Sequence, residues 1–565
     1  MARNIFHALL VIVILCAFSQ RLFHVTKIGI SDGDPSVYWH FATAWSDDQF
    51  LIGMPELSIE VLLRPVAFYL YSLALQLFDY RDYAIKIINL FADSINLILI
   101  FAICRKITSG WLALCAALLY ATTPIIIVFA RGEMLHTLSI LFLLIAFYFL
   151  LCSLETDAWR KQLFQVLAGV ALGHGGLVHP SVVMNAPGFL VVLLLDGLLY
   201  GTGWQEKIKK IMAGCGLMLL AMLSVYVIVL VAFGLHNLTA HSVPRMDLIS
   251  KYTQIEAIEP PAKAREMVNR MRLFKVPFSF IKKQMYLPES LIKTAFGIFF
   301  FAFLLLGMQL VGIRWFQDWG RDLKTHAGWI VLVTSMLGFA ILLPTSIQQV
   351  RNYLQLLPLF VIAILACMEM LEIFLLSRIW TIIIVGLLII IFFMQVFPKN
   401  LKEIIAPTIS SYRLLHDAIG KKVDNNNKII FIDDPENRSR TESLRAYFGK
   451  NAVYYNICEQ SFYELVRHLR IRFVAIPRQP LHYTLDDNFY DTFKGKVRSV
   501  PEWTKSCYDR ELDFENMKRP QVAESGWWHH RILNQNLKQE ILNTGAGKII
   551  FQSTAIDVLM LNDPY

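Results

Sequence analysis

Six side chains in this chain have the chemistry to activate and stabilise a reacting group: the carboxylates Asp34 and Glu133, the imidazoles His136 and His179, and the guanidiniums Arg64 and Arg351. A carboxylate can take the proton of a hydroxyl nucleophile as it attacks. Cationic groups can accept the negative charge that develops on a departing phosphate. Asp32 stands two residues before Asp34 and competes for the role of base. Asp47 and Asp48 are further acids of the same stretch, and they read as solvated loop residues. Acids and bases are common in loops, so each residue alone says little. Their meaning depends on the elements that carry them.

Those elements are membrane helices. The chain has 565 residues, 56% hydrophobic and only 17% charged, where a soluble protein carries about a quarter. The apolar residues are gathered into runs. The segments 107–130, 211–235 and 379–397 contain no charged residue, and each can cross a hydrocarbon core of about 30 Å as a helix. The pattern predicts eleven spans, near 5–23, 84–103, 111–129, 134–152, 163–178, 181–199, 211–233, 292–313, 328–344, 353–375 and 379–397. The first reads as an uncleaved span, because Arg21, Leu22 and Phe23 are poor cleavage context. The pair at 163–199 is broken by Gly173, Gly175, Gly176, Pro180 and Pro187. It also fits one span plus a re-entrant piece.

Charge orients the bundle. One set of short loops holds Arg105, Lys106, Arg160, Lys161, Lys207, Lys209, Lys210, Arg314, Arg321, Lys324 and Arg378, against Glu155, Asp157, Glu206, Asp318 and Asp322. Lys and Arg favour the cytoplasmic side of short loops, which puts this set inside. The other side then receives loops 24–83 and 234–291 and everything after 398. Asp34, Arg64, Glu133, His136, His179 and Arg351 all converge on that outer side, as a site for a charged substrate at the lipid boundary requires. The loop 234–291 is rich in cations, among them Lys282 and Lys283. It reads either as a solvated charged loop or as an attractor for phosphate. In the second span Lys86, Asn89, Asp93 and Asn96 are spaced by three, four and three, which puts them on one helical stripe. That stripe must face the bundle, either to bond between helices or to serve a site.

The organisation that follows is a polytopic α-helical membrane domain over 1–400 and a soluble α/β domain over 401–565. In the latter, 428–432, 452–455 and 473–476 read as strands, 439–448 and 462–469 as helices, and 548–562 as a closing strand or hairpin. Cys458 and Cys507 fall in this outer part, as a disulfide or as two thiols. Trp503, Tyr508, Trp527 and Trp528 are available to stack on sugar or to pack a core. The net charge of +9 is accounted for by topology, and no nucleic-acid motif is present.

Leu63-Arg-Pro-Val-Ala-Phe-Tyr-Leu-Tyr, the polar second span and Ala130-Arg-Gly-Glu-Met-Leu-His resemble the polyprenyl-phosphate-sugar glycosyltransferases of the GT-C fold. These include protein O-mannosyltransferases and the aminoarabinose transferases of lipid A. The resemblance covers roughly residues 5–200 and extends less fully to Arg351-Asn-Tyr-Leu-Gln-Leu-Leu-Pro, which brings in Tyr353. The family has a catalytic Asp in the first outer loop, often four residues before a Tyr, and Asp34-Pro-Ser-Val-Tyr38 has that spacing. The resemblance implies an integral enzyme of the bacterial inner membrane with its C-terminal domain extracytoplasmic. It would move a sugar, with inversion, from a polyprenyl-phosphate carrier to a lipid, glycan or protein hydroxyl. Asp34 would be the base, with Glu133 orienting the acceptor or a cation. Asp32, Tyr38, Arg64, Lys86, His136, His179, Lys282, Lys283, Arg351 and Tyr353 would bind substrate. A divalent cation is compatible with the acids; no metal ligand set is defined by them. Two departures stand out. His136 is nearest to where relatives often have an Asp, and His179 stands where many carry Lys or Arg.

Two other classes fit a polytopic chain. A transporter or flippase predicts symmetric halves and helices broken at mid-membrane, and no such symmetry is visible. A non-catalytic envelope scaffold predicts that the outer domain alone carries function.

Overall fold

The computed structural model describes residues 2–30, 38–39, 41–43, 64–200, 203–241, 323–342, 354–374, 410–424, 426–432, 447–448, 452–455, 466, 469–477, 537–553 and 556–562. The expected spans 292–313 and 379–397 lie outside these residues, as do just under half of the loop 24–83 and most of the loop 234–291. The chain divides into two units. The first comprises Met1–Val25, Ala44–Leu77 and Ala84–Pro407; the second comprises Thr26–Thr43, Phe78–Tyr83 and Thr408–Tyr565.

Among the described residues, the regular structure of the first unit is all helical. Its described helices are α1 (Ala2–Leu22), α2 (Pro65–Leu77), α3 (Ala84–Ile107), α4 (Gly110–Thr122), α5 (Pro124–Ala130), α6 (His136–Glu155), α7 (Ala158–Val178), α8 (Ala186–Tyr200), α9 (Trp204–His241), α10 (Leu323–Leu342) and α11 (Leu356–Phe374). Among the described residues, five helices are long and apolar enough to cross a membrane, or six if the bent pair α4–α5 is one span. That pair turns by 64°, where a straight span over 111–129 is expected. The cause is Pro124 at the first position of α5: it has no N–H to continue the helix.

Two further stretches take definite form. The loop 24–83 contains α2, a 13-residue helix whose Ala67, Phe68 and Tyr71 are fully buried; its run is too short to read as a span. The stretch 163–199 forms two helical segments that part at His179, as the expected pair 163–178 and 181–199 requires. It is α7, a 3-10 turn at Pro180–Asn185, then α8. The glycines that obscured it in sequence serve packing. A Cβ on Gly173 would lie 2.9 Å from the Met222 carbonyl oxygen of α9, so the small residue lets two backbones approach.

One end of this unit gathers the cationic loops. Lys106 pairs with Glu155, and Lys324 lies 3.6 Å from the same carboxylate. The ends of α3, α6 and the start of α10 therefore meet, as loops on a shared membrane side must.

The second unit holds a five-stranded sheet of order β2-β1-β3-β5-β4, with β1 at Lys428–Ile432, β2 at Ala452–Tyr455, β3 at Ile471–Pro477, β4 at Gly547–Gln552 and β5 at Ile556–Leu561. β1 pairs parallel with β2 and β3, and β5 pairs antiparallel with β3 and β4. All the expected strands are present, and 548–562 is a hairpin. Both faces are covered. Ile429, Phe431 and Phe473 pack with Tyr412, Leu415 and Phe448 on one side; Ile430, Val474 and Ile476 pack with Val466, Leu537 and Ile541 on the other. That placement explains why β1 reads as a continuous apolar run rather than an alternating one.

The Gly29 turn is built into this unit. Gly29 has φ +74°, and a Cβ there would lie 2.5 Å from the Arg413 Cβ. Ser410 donates its backbone N–H to the Ile28 carbonyl at 2.8 Å, and Arg413 pairs with Asp82 at 3.1 Å. Gly29→Ala combines a left-handed backbone cost of roughly 1–2 kcal/mol with this clash. It is expected to lower the thermal midpoint of the purified protein by more than an exposed Gly→Ala control does.

Candidate active site

The stripe on α3 organises the first unit. Lys86, Asn89, Asp93 and Asn96 are all buried, and their bonds run to other helices. The nearer half holds the segment between α5 and α6. Asn89 Nδ2 donates to the carbonyls of Gly132 at 2.7 Å and Met134 at 3.1 Å. Tyr71 Oη of α2 lies 3.1 Å from Asn89 Oδ1 and 3.2 Å from the Met134 carbonyl. Lys86 Nζ pairs with Glu133 at 3.2 Å, both side chains fully buried. The 131–135 turn lies between two helices, where its carbonyls have no helical donors, and the stripe supplies them.

The further half ties in α1. Arg21 Nε lies 2.5 Å from Asp93, and Arg21 also donates to the carbonyls of Ala17 and Ala121. Tyr120 donates to Asp93 at 2.8 Å, and Asn96 donates to the Thr137 carbonyl at 3.2 Å. A buried guanidinium survives only if its N–H groups are met in this way. The interhelical reading of the stripe is what the structure displays.

Beside this turn sits a second polar cluster. His136 opens α6 and packs edge-on to Phe129, ring centroids 5.3 Å apart. The His179 ring, between α7 and the 3-10 turn, lies 4.5 Å from the His136 ring. His179 Nδ1 is 2.6 Å from Ser181 Oγ, which receives a bond from Gln355 Nε2 at 2.7 Å. Gln355 also reaches Ser139 and Asn185. Residues far apart in sequence thus meet in the interior of one bundle.

The expected site residues are distributed as follows. Lys86 meets Glu133, and His136 meets His179. Arg64 is half-buried just before α2, its carbonyl accepting from the N–H groups of Ala67 and Phe68. Tyr38 is buried and belongs to the second unit. Asp32, Asp34, Lys282, Lys283, Arg351 and Tyr353 lie outside the described residues, as do Asp47, Asp48, Cys458, Cys507 and the aromatic residues 503–528. Among the described residues, no group of three His, Cys, Asp or Glu is placed to hold a metal ion. Sequence reading missed Arg21, Tyr71, Tyr120, Ser139, Ser181, Asn185 and Gln355. Arg21 and Gln355 carried a signal, as polar residues bordering apolar runs; the hydroxyls of Ser139 and Ser181 carried none.

Residues 64–233 match the family model described as dolichyl-phosphate-mannose-protein mannosyltransferase. The matched stretch contains Lys86, Glu133, His136 and His179 together with their partners on α2, α3 and the 3-10 turn. Over this stretch the chain is similar to that family. No curated protein matches it by sequence. By structure, the apo form of ArnT from Cupriavidus metallidurans matches with TM-score 0.52 and 11% identity, covering 99% of this chain and 98% of that one. The same protein bound to undecaprenyl phosphate matches with TM-score 0.50 and 10% identity, covering 98% and 97%. At such identity these two matches establish a shared fold. The expected helical membrane architecture is therefore the fold these two structures share with this chain.

Proposed function

We propose that this chain is a glycosyltransferase that takes a sugar from a polyprenyl-phosphate carrier and places it on a hydroxyl of a lipid, glycan or protein at the extracytoplasmic face of a bacterial inner membrane. The observation that carries the reading is the family match over 64–233, which spans the buried turn and its polar partners. The neighbour crystallised with undecaprenyl phosphate supports a lipid-phosphate carrier. The acceptor hydroxyl attacks the anomeric carbon as Asp34 takes its proton. The carbon–oxygen bond to phosphate breaks, and polyprenyl phosphate leaves with the negative charge. Arg64, Arg351 and the Lys282–Lys283 pair are suited to receive that charge. Glu133, held by Lys86, orients the acceptor.

The experiment is a transfer assay on purified protein in nanodiscs. Hexosyl and pentosyl polyprenyl phosphates are offered as donors, and cell-envelope lipids, glycans and peptides as acceptors. Product is expected without added nucleotide sugar. Strict dependence on a nucleotide sugar rejects the donor class. Neutralising Lys282 and Lys283 together is expected to raise the donor KM while leaving the thermal midpoint near its original value.

A further inference from the structure

Pro124 explains why α4 stops where it does. It does not set the direction in which α5 leaves. A helix broken inside a membrane bundle frees carbonyls that neighbouring groups must meet. Thr122 Oγ1 donates to the Leu118 carbonyl and Thr123 Oγ1 to the Leu119 carbonyl, each at 2.7 Å. The Tyr120 carbonyl, four residues before Pro124 and so denied its helical donor, takes the Thr123 N–H at 3.2 Å. These three bonds are local. The Ala121 carbonyl is met from another helix: Arg21 Nη2 of α1 donates to it at 3.0 Å.

Arg21 does more than cover a carbonyl. Its Nε lies 2.5 Å from Asp93 of α3, and the Tyr120 hydroxyl donates to the same carboxylate at 2.8 Å. Arg21 and Asp93 therefore grip the last turn of α4 at two points, one on the backbone and one on a side chain. Asn96, on the same stripe of α3, donates to the Thr137 carbonyl of α6 at 3.2 Å. The far end of α5 is held as well. Arg131, the residue after it, donates from Nη2 at 3.0 Å to the carbonyl of Phe23, two residues past Arg21. The end of α1 thus touches the chain both before and after α5. That helix has seven residues, a length of ~10 Å, so holds at both ends leave it little room to swing. Arg21, Asp93, Tyr120 and Arg131 are all buried.

We propose that Arg21 is a positioning residue: together with Asp93 it fixes the angle of the α4–α5 bend, and through α5 it aims the 131–135 turn that carries Glu133. The bend half rests on the geometry above. The catalytic half rests on the function already proposed, in which Glu133 orients the acceptor. The rival is a bend set by Pro124 alone, with Arg21 and Asp93 only neutralising each other.

The test compares the full-length unaltered chain with two variants in nanodiscs. Arg21→Met combined with Asp93→Asn removes both charges, and so avoids the uncompensated buried carboxylate that Arg21→Met alone would leave. Arg21→Lys keeps the charge and gives up the planar fork that serves Asp93 and Ala121 together. Spin labels on genetically encoded residues at Ile98 of α3 and Val128 of α5, both exposed, report the distance across the bend with no substrate present. The double variant is expected to show a shifted or broadened distance distribution, and Arg21→Lys a smaller change. An unchanged distribution in both overturns the proposal and leaves the bend to Pro124. Turnover is the second readout. The double variant should regain a thermal midpoint near that of the unaltered protein and still lose kcat by roughly 10²-fold, the scale of a small misplacement imposed from a distance, with the donor KM changed less. A regained midpoint with full kcat overturns the positioning role. If the double variant does not fold, Arg21→Lys carries both readouts, with kcat expected to fall about tenfold. If the unaltered protein uses no polyprenyl-phosphate sugar at all, the catalytic half falls with the proposed function, and the substrate-free distances still decide the bend.

Discussion

Lys86→Met is expected to leave a membrane protein that inserts but is much less stable and loses its activity. The side chains of Lys86 and Glu133 are fully buried and 3.2 Å apart. Removing the ammonium leaves a carboxylate in a dry interior without its cation, a loss of about 3–5 kcal/mol for a buried pair. The carboxylate then takes up a proton or draws the 131–135 turn out of place. Either outcome disturbs His136, three residues on. The readout is the thermal midpoint of the purified protein in detergent, together with turnover. The pairing is tested by the double replacement Lys86→Met with Glu133→Gln. It removes both charges, so it should recover much of the lost stability, since replacing both members of a buried pair is far milder than breaking one. It should not recover activity if Glu133 orients the acceptor. A double variant no more stable than Lys86→Met alone would show that the pair does not couple the two positions. Recovery of both stability and turnover would reduce Glu133 to a structural role.

How far sequence reached into this molecule can be argued from the same residues. The stripe on α3 was legible because helical periodicity is local: spacings of three and four place Lys86, Asn89, Asp93 and Asn96 on one face whatever surrounds them. Their burial followed from the cost of polar groups in lipid. Their partners were not legible. Arg21 and Asp93 are 72 positions apart, and nothing in either segment names the other. The same holds for Gln355 and Ser181, which meet across 174 residues. Long-range pairing depends on how helices pack, and packing is set by small residues such as Gly173, whose isolated signal is that of a helix breaker. That is why 163–199 read as doubtful when it is ordered by close contact. The strands of the second unit were legible for the opposite reason: β1 and β3 are buried on both faces and read as apolar runs. The helix α2 was lost because a largely apolar run of 13 residues is too short for a span and too long for a plain loop.

Asp34→Asn is expected to produce the largest loss of turnover among replacements of the candidate carboxylates, with little loss of stability. Residue 34 lies outside the described part of the structure, and its sequence context carries the case. Asp34 stands four residues before Tyr38, the spacing at which the GT-C glycosyltransferases carry their first-loop catalytic Asp, and Tyr38 is buried in the second unit. A hydroxyl acceptor becomes a competent nucleophile only as it loses its proton, and a positioned carboxylate that takes this proton contributes on the order of 10²- to 10⁴-fold. Asn keeps the shape of the side chain but not its basicity, so donor binding, membrane insertion and the thermal midpoint should stay near those of the unaltered protein while kcat falls by roughly that factor. Asp32→Asn should be milder, because its spacing to Tyr38 is wrong by two residues. Glu133→Gln should fall between them in turnover and lose stability as well, because Lys86 then keeps its charge without its carboxylate. The three variants are compared in one assay with polyprenyl-phosphate sugar as donor. If Asp34→Asn keeps most of its turnover and Asp32→Asn abolishes it, the base is Asp32. If only Glu133→Gln abolishes it, the reacting proton is taken at the 131–135 turn, and Lys86 becomes the group that tunes the base.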